Sequence, residues 1–249
     1  MEASLYPTFF AIEEHYWWSV GTRAIFREWL SRATGGRAGR VLDIGCGTGM
    51  LARELATLGI VHGVDIAPEA IRFGRARGLD NLCVGSAEAL PYRRGTFDAV
   101  AAVDVVEHAD DVATLAELAR VLRPGGVALI HVPAFPFLWS QHDEAAHHRR
   151  RYRRAQLRAL VEAQGLHVER LSFLNALLFP PVAVVRIVRQ LRSRLRPMSL
   201  PPRADIYLLP TLVNRLLIGI LALERRWLRT ADLPLGVSLL CLARKTSGV

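Results

Sequence analysis

Three glycines in alternation, Gly45-Cys46-Gly47-Thr48-Gly49, stand two residues after an acid, Asp43, at the end of a short apolar run. Such a loop lets the main chain bend sharply and brings bare N–H groups against a ligand. Asp65 closes the next apolar run. A carboxylate at that place can accept hydrogen bonds from both ribose hydroxyls of an adenosine. Loop and acid together read as an adenosine site, against the plain alternative of a surface Asp in a turn. The spacing lacks the third glycine position of the dinucleotide fingerprint and the Gly-Lys-Ser/Thr of a triphosphate cradle.

A second group of residues has the chemistry to move protons. His142 and Asp143 are adjacent, His147 and His148 follow, and His108 stands beside Glu107. Histidine titrates near neutrality and is the commonest general base. His142, Asp143 and His108 are the catalytic candidates; for each histidine the competing reading is a hydrogen-bonded loop residue. A metal built from Glu107, His108, His142 and His147 has no diagnostic spacing, so none is expected.

The elements that must position these groups alternate. Strands are expected at 40–44, 61–66, 82–84, 97–103, 127–132, 167–173 and 237–243, with a turn at Arg123-Pro124-Gly125-Gly126. Helical spacing runs through 9–31, 50–58, 68–77, 112–122 and 153–164. Strands alternating with such helices predict an α/β fold, a Rossmann-like doubly wound and largely parallel sheet.

In order and spacing, VLDIGCGTG at 41–49, GVDIA at 63–67, SAEALPYRRGTFDAV at 86–100, VDVVEHADD at 103–111 and VLRPGGVALIHVP at 121–133 resemble the class I S-adenosylmethionine-dependent methyltransferases. The resemblance covers about 40–135. It implies a seven-stranded sheet whose last strand is antiparallel, and S-adenosyl-L-methionine as cofactor. Asp43 and the loop of Gly45, Cys46, Gly47 and Gly49 would hold the methionine portion. Asp65 would bind ribose, Ile66 would pack on adenine, and Ser86, Ala87 and Glu88 would lie by its edge. Asp104 would lie near the transferable methyl. Ser86 departs from the Asp of many relatives. A narrower likeness, in EHYWW at 14–18, LWSQHD at 138–143, HRRRY at 148–152, Asn175 with LFP at 178–180 and GVSLL at 236–240, points to a bacterial methyltransferase subgroup often associated with lipid-linked or envelope-glycan pathways. It implies that the N-terminal aromatic helix caps the cleft. Tyr16, Trp17, Trp18, Phe135, Trp139, His148, Arg151 and Tyr152 are the residues assigned to the acceptor.

The expected organisation is one domain over 1–249: a helical cap at 1–35, the core at 40–173, a helical insertion at 174–234 and the last strand at 235–244. The insertion is apolar and arginine-rich. Val184, Val185, Val188, Leu191 and Leu195 share a helical face, with Arg186, Arg189, Arg192, Arg194 and Arg196 largely elsewhere; Leu209, Leu212, Leu216, Ile220, Leu223 and Trp227 repeat the spacing. Three readings stay open: helices on an anionic membrane surface, a lid or dimer contact, or plain core helices. A homo-oligomer is compatible with the sequence.

The net charge is +9, carried almost wholly by arginine, since Lys245 is the one lysine. Such a balance attracts anionic lipid, anionic substrates or nucleic acid. The run Arg149 to Arg154 could neutralise phosphates, but nucleic acid is not expected, because no binding module is appended and no Asn-Pro-Pro-Tyr-type segment follows the fourth strand. Cys46, Cys83 and Cys241 form no disulfide framework. No basic leader or apolar 18-residue span is present, so a cytoplasmic enzyme, peripheral at the inner membrane face, is expected. The leading function is methyl transfer, at oxygen, to a hydrophobic or lipid-linked acceptor. The alternatives are tailoring of a soluble aromatic or polyketide-like metabolite, and a non-catalytic adenosine-binding regulator.

Overall fold

The computed structural model describes residues 6–195 and 208–246. Seven strands, β1 (Arg40–Ile44), β2 (Ile60–Asp65), β3 (Leu82–Val84), β4 (Phe97–Val103), β5 (Leu122–Pro133), β6 (Leu166–Leu174) and β7 (Ser238–Lys245), form one sheet in the order β3-β2-β1-β4-β5-β7-β6. Strands β1 to β5 pair in parallel, and β7 runs antiparallel to both β5 and β6. The fold is the Rossmann-like methyltransferase fold. The strand order reverses between β1 and β4, and open α/β sheets bind ligands at the carboxyl ends beside such a reversal.

The central strands are buried on both faces, so they read as unbroken apolar runs. One face packs under α5 (Asp111–Val121) and α7 (Arg154–Glu162) through Leu115, Leu118, Leu157 and Val161. The other packs under α2 (Trp17–Ala33) and α3 (Met50–Leu55) through Ile25, Phe26, Leu30, Leu51 and Leu55. The short α4 (Pro68–Ala76) carries proline in its first turn, where the missing N–H costs nothing.

Two expectations on element boundaries change. The helical run at 9–31 is two helices, α1 (Tyr6–Ile12) and α2, separated by a turn. The break turns Glu13 inward, where it is almost fully buried and accepts from Thr48 and Arg77. The turn at Arg123–Gly126 is a bulge within β5: Phe97 pairs with Leu122, and Ala99 with Val127, so the four residues 123–126 stand opposite Asp98 alone. Gly125 takes a φ of +74° in that excursion.

Between β5 and α7 lies α6 (Gln141–Ala145), closed at its start by a capping box of Ser140 and Asp143. The 174–234 segment holds α8 (Phe179–Leu195) and α9 (Thr211–Trp227). Leu221 of α9 packs so closely on Gly21 of α2 that a methyl group there would collide with it. Glu224 of α9 is buried and accepts from the backbone N–H groups of Asn175 and Leu177. Asn214 accepts from the Trp17 N–H and donates to the His15 carbonyl, tying α9 to the start of α2. The helical-face readings at Arg189, Leu191, Arg192, Arg194, Leu195 and Arg196 lie outside the described side chains.

Candidate active site

A cavity of about 650 Å³ opens at the carboxyl ends of β1 and β4, roofed by α2 and α8. Its first wall is the glycine loop. Gly47 has a φ of +52° and nothing within 4 Å of where a Cβ would stand, so the backbone there is a bare cradle. Asp43 is buried beneath it and lines the cavity, and its Oδ2 has no hydrogen-bond partner. Burial, and then Asp65, raise its carboxyl pKa to about 8. An orphaned acidic oxygen beneath open space at Gly47 fits the ammonium of an amino acid. The loop therefore suits the methionine end of S-adenosylmethionine.

Asp65, the expected partner of ribose, is occupied by the protein itself. Asp65 accepts from the N–H groups of Gly47 and Ala67, both at 2.9 Å, and from the hydroxyl of Tyr6 in α1. A turn onward, Arg77 donates to Glu13 and Glu14, each at 2.6 Å, and pins the end of α1 to α4. Gly49, Asp65, Ile66, Ser86, Ala87 and Glu88 do not line the cavity; Asp65 lies behind Gly47, Ile66 is 75% exposed, and Glu88 accepts from the Asp110 N–H at 2.7 Å.

The second wall is polar. Asp104, at a φ of +52°, accepts from His131 Nδ1 at 2.7 Å. His131 Nε2 in turn accepts from the Ser238 hydroxyl at 2.8 Å, and the ring of Phe26 covers it with centroids 4.9 Å apart. Asp104 is open to the cavity, and against the desolvation of the site His131, with His148 and His108, holds its carboxyl below the usual range. Beside this pair, His148 donates from Nδ1 to Asp143 Oδ1 at 2.8 Å. Asp143 is fully buried and also accepts from Arg151 Nε at 2.8 Å and the Ser140 N–H at 2.8 Å. Those bonds overcome the effect of burial and hold its carboxyl well below the usual range. His108 donates from Nδ1 to the His147 carbonyl at 3.3 Å; burial, then His148, lower its pKa to about 4. His142 lines the cavity with its ring centroid 6.1 Å from that of His148.

The third wall is apolar: Trp17 and Trp18 from α2, then Leu178, Pro181, Val182 and Val185 at and within α8. Of the residues assigned to the acceptor, Tyr16, Trp17, Trp18, His148 and Arg151 line the cavity. Three do not. Tyr152 is fully buried in the core, with its hydroxyl on Asp111 at 3.1 Å. Phe135 stacks on Phe173 with centroids 5.1 Å apart, and the Trp139 carbonyl accepts from Gln190 of α8. The arginine run is partly internal: Arg150 pairs with Asp111 at 2.7 Å and Arg151 with Asp143.

Several site residues carried no signal in the sequence. His131 sits mid-strand in an apolar run and reads as core; its one hint is a lone titratable side chain in β5. Tyr6 and Glu13 are far in sequence from Asp65 and Arg77, and meet them only because α1 folds against α4.

The family model described as a methyltransferase domain aligns with 42–130, from β1 through most of β5. Residues 42–130 match a methyltransferase domain. A ubiquinone biosynthesis O-methyltransferase of Xanthomonas oryzae pv. oryzae is 41% identical over 95 residues, covering 35% of this chain and 40% of the relative. An O-methyltransferase of Aspergillus nomiae is 35% identical over 116 residues, covering 43% of this chain and 52% of the relative. The chain thus spans about two-fifths to one-half of these curated relatives. Among solved structures, a Haemonchus contortus phosphoethanolamine N-methyltransferase in complex with S-adenosyl-L-methionine superposes with a TM-score of 0.58 at 17% identity, over 97% of this chain and 60% of that one. The [4+2]-cyclase SpnF superposes at 0.54 with 18% identity, over 90% and 80%. Neighbours with such different chemistry share the fold alone with this chain.

Proposed function

We propose that this chain is an S-adenosylmethionine-dependent methyltransferase that methylates a hydroxyl oxygen of a lipophilic acceptor at a membrane surface. One observation carries the reading: a single cavity joins the orphaned Asp43 carboxyl and bare Gly47 loop to paired histidines and an apolar wall. The bound cofactor supplies a methyl group on a positively charged sulfur, open to in-line attack. Asp43 and Gly47 hold its amino-acid end, and Asp65 takes the ribose once the Tyr6 hydroxyl gives way.

The acceptor hydroxyl lies against Asp104, His108 and His148. As the oxygen takes the methyl group, its proton passes to His148 Nε2, the nitrogen left unprotonated by the Nδ1 bond to Asp143. Asp143 fixes the tautomer of His148 and is a positioning residue, because its own carboxyl stays ionised and points away from the cavity. Trp17 and Trp18 exclude water, and Val182 and Val185 take the apolar body of the acceptor. Transfer to oxygen is supported by the matched relatives, which are named O-methyltransferases.

The membrane reading rests on the outer faces of α8 and α9. Val184, Leu212, Leu216, Leu223 and Trp227 are exposed there, with Arg215 and Arg226 exposed among them. Such a face suits the interface of an anionic bilayer, where each nearby arginine adds about 1 kcal/mol. No helix among the described residues is long and apolar enough to cross a membrane.

The test is methyl transfer from labelled cofactor to a long-chain phenol and to its short water-soluble parent, with neutral or anionic vesicles. Label on the long-chain phenol, faster with anionic vesicles that also float the protein, is the expected result. Transfer only to the soluble parent would favour metabolite tailoring, no flotation with either vesicle type would remove the membrane, and equal flotation with both would remove the arginine contribution.

A further inference from the structure

One group at the histidine wall has no task in methyl transfer as described. Glu107 is completely buried, and neither carboxylate oxygen has a hydrogen-bond partner. Burying a carboxylate without donors is costly, and proteins resolve it by neutralisation, a counter-charge or a metal ion. Glu107 Oε1 lies 3.9 Å from His148 Nε2. One donor atom each from Glu107, His108 and His148 falls within 4.8 Å of the other two.

The two imidazoles are held alike. His148 gives its Nδ1 proton to Asp143, and His108 gives its Nδ1 proton to the His147 carbonyl. In each neutral ring that assignment leaves the lone pair on Nε2. A histidine tied through one nitrogen to a carboxylate or carbonyl, with the other nitrogen turned inward, is the usual support of a metal-bound imidazole. Both rings line the cavity while Glu107 lies behind them, so an ion between the three keeps an open side toward the acceptor.

We propose that Glu107, His108 and His148 bind one divalent transition-metal ion at the wall of the acceptor cavity. Two imidazoles and a carboxylate favour zinc, cobalt, iron or manganese over calcium or magnesium, which take all-oxygen sets. The donor set differs from the one weighed in the sequence: His148 replaces His142 and His147, because the turn after α6 brings only that ring against Glu107. The ion's role rests on the methyltransferase reading: with the ion bound, His148 is its ligand in place of acting as base, and a hydroxyl on the ion loses its proton more readily, to solvent water; the ion's binding does not.

The test is cobalt(II) titration of chelator-treated full-length protein, without cofactor or acceptor, followed by visible absorption and calorimetry. One equivalent per chain is expected, with binding weakened by about tenfold or more in Glu107→Gln and His148→Ala. Unchanged S-adenosylmethionine affinity in both variants shows that they are folded. Wild-type protein that takes up neither cobalt nor zinc, or a folded Glu107→Gln that binds as tightly as wild type, overturns the ion site. Cofactor binding and methyl transfer that survive chelation would leave the methyltransferase reading standing without it. Metal uptake by a chain that transfers no methyl group would leave the ion site standing alone.

Discussion

His148 and Asp143 share a 2.8 Å hydrogen bond at the wall of the cavity, and Arg151 donates to the same carboxylate oxygen. The carboxylate thereby fixes which nitrogen of the ring carries the proton. His148→Ala should lower turnover by about 10²–10⁴-fold with little change in cofactor affinity. Asp143→Asn should fall between that variant and wild type, because the amide still accepts a hydrogen bond but can also offer its NH₂ to the ring. Steady-state kinetics with a separate cofactor titration check both; a full-rate His148→Ala would remove the histidine from the reaction.

Tyr6 holds the carboxylate assigned to ribose. Cofactor binding must displace its hydroxyl, so Tyr6→Phe should tighten S-adenosylmethionine binding by about fivefold, the worth of one hydrogen bond near 1 kcal/mol. Calorimetry reads this directly. Weaker binding in the variant would mean that the tyrosine contacts the cofactor instead of competing with it.

Asp43 makes cofactor binding depend on pH. Burial and Asp65 raise its carboxyl to about 8, so near pH 7 the free protein holds it mostly protonated. Pairing with an ammonium needs the ionised form, and binding then releases a proton. Affinity should rise between about pH 6 and about pH 8 and level off above. The stability of the free protein moves oppositely: the folded pKa lies above the unfolded one, so stability is fullest below the unfolded value and is lost as pH rises to the folded value. Calorimetry in buffers of different ionisation enthalpy counts the proton; Asp43→Asn should abolish the release, and equal release in that variant would place the proton elsewhere.

Gly21 and Leu221 join the cap helix to the insertion. Gly21→Ala overpacks that contact and should cost about 1–3 kcal/mol, lowering the melting temperature by several degrees. Pairing it with Leu221→Ala should recover part of the loss. A melting temperature unchanged in Gly21→Ala would show that α9 does not press on α2.

Much of this was legible in the chain itself. Strands buried on both faces are apolar runs, and a glycine alternation at the end of the first one has few structural uses, so β1, β4 and the loop at 45–49 stood out. The readings that changed depend on tertiary contacts. The 9–31 run breaks because Glu13 finds Thr48 and Arg77, which no local pattern announces. Tyr152 adjoins Arg151, which lines the cavity, and Phe135 lies two residues from Pro133, yet one turns into the core and the other stacks on Phe173. His108 and His148 are 40 residues apart in number and meet only because the stretch after α6 folds back over the end of β4.

The central claim is that the loop at 45–49 and the carboxylate at 65 form a site for a sulfonium nucleoside. Calorimetric titration of S-adenosylmethionine into wild type and Asp65→Ala tests it most directly. Saturable binding at one site per chain, weakened about tenfold or more by the substitution, is the predicted result. No binding at millimolar cofactor, or equal affinity in the two proteins, would contradict it.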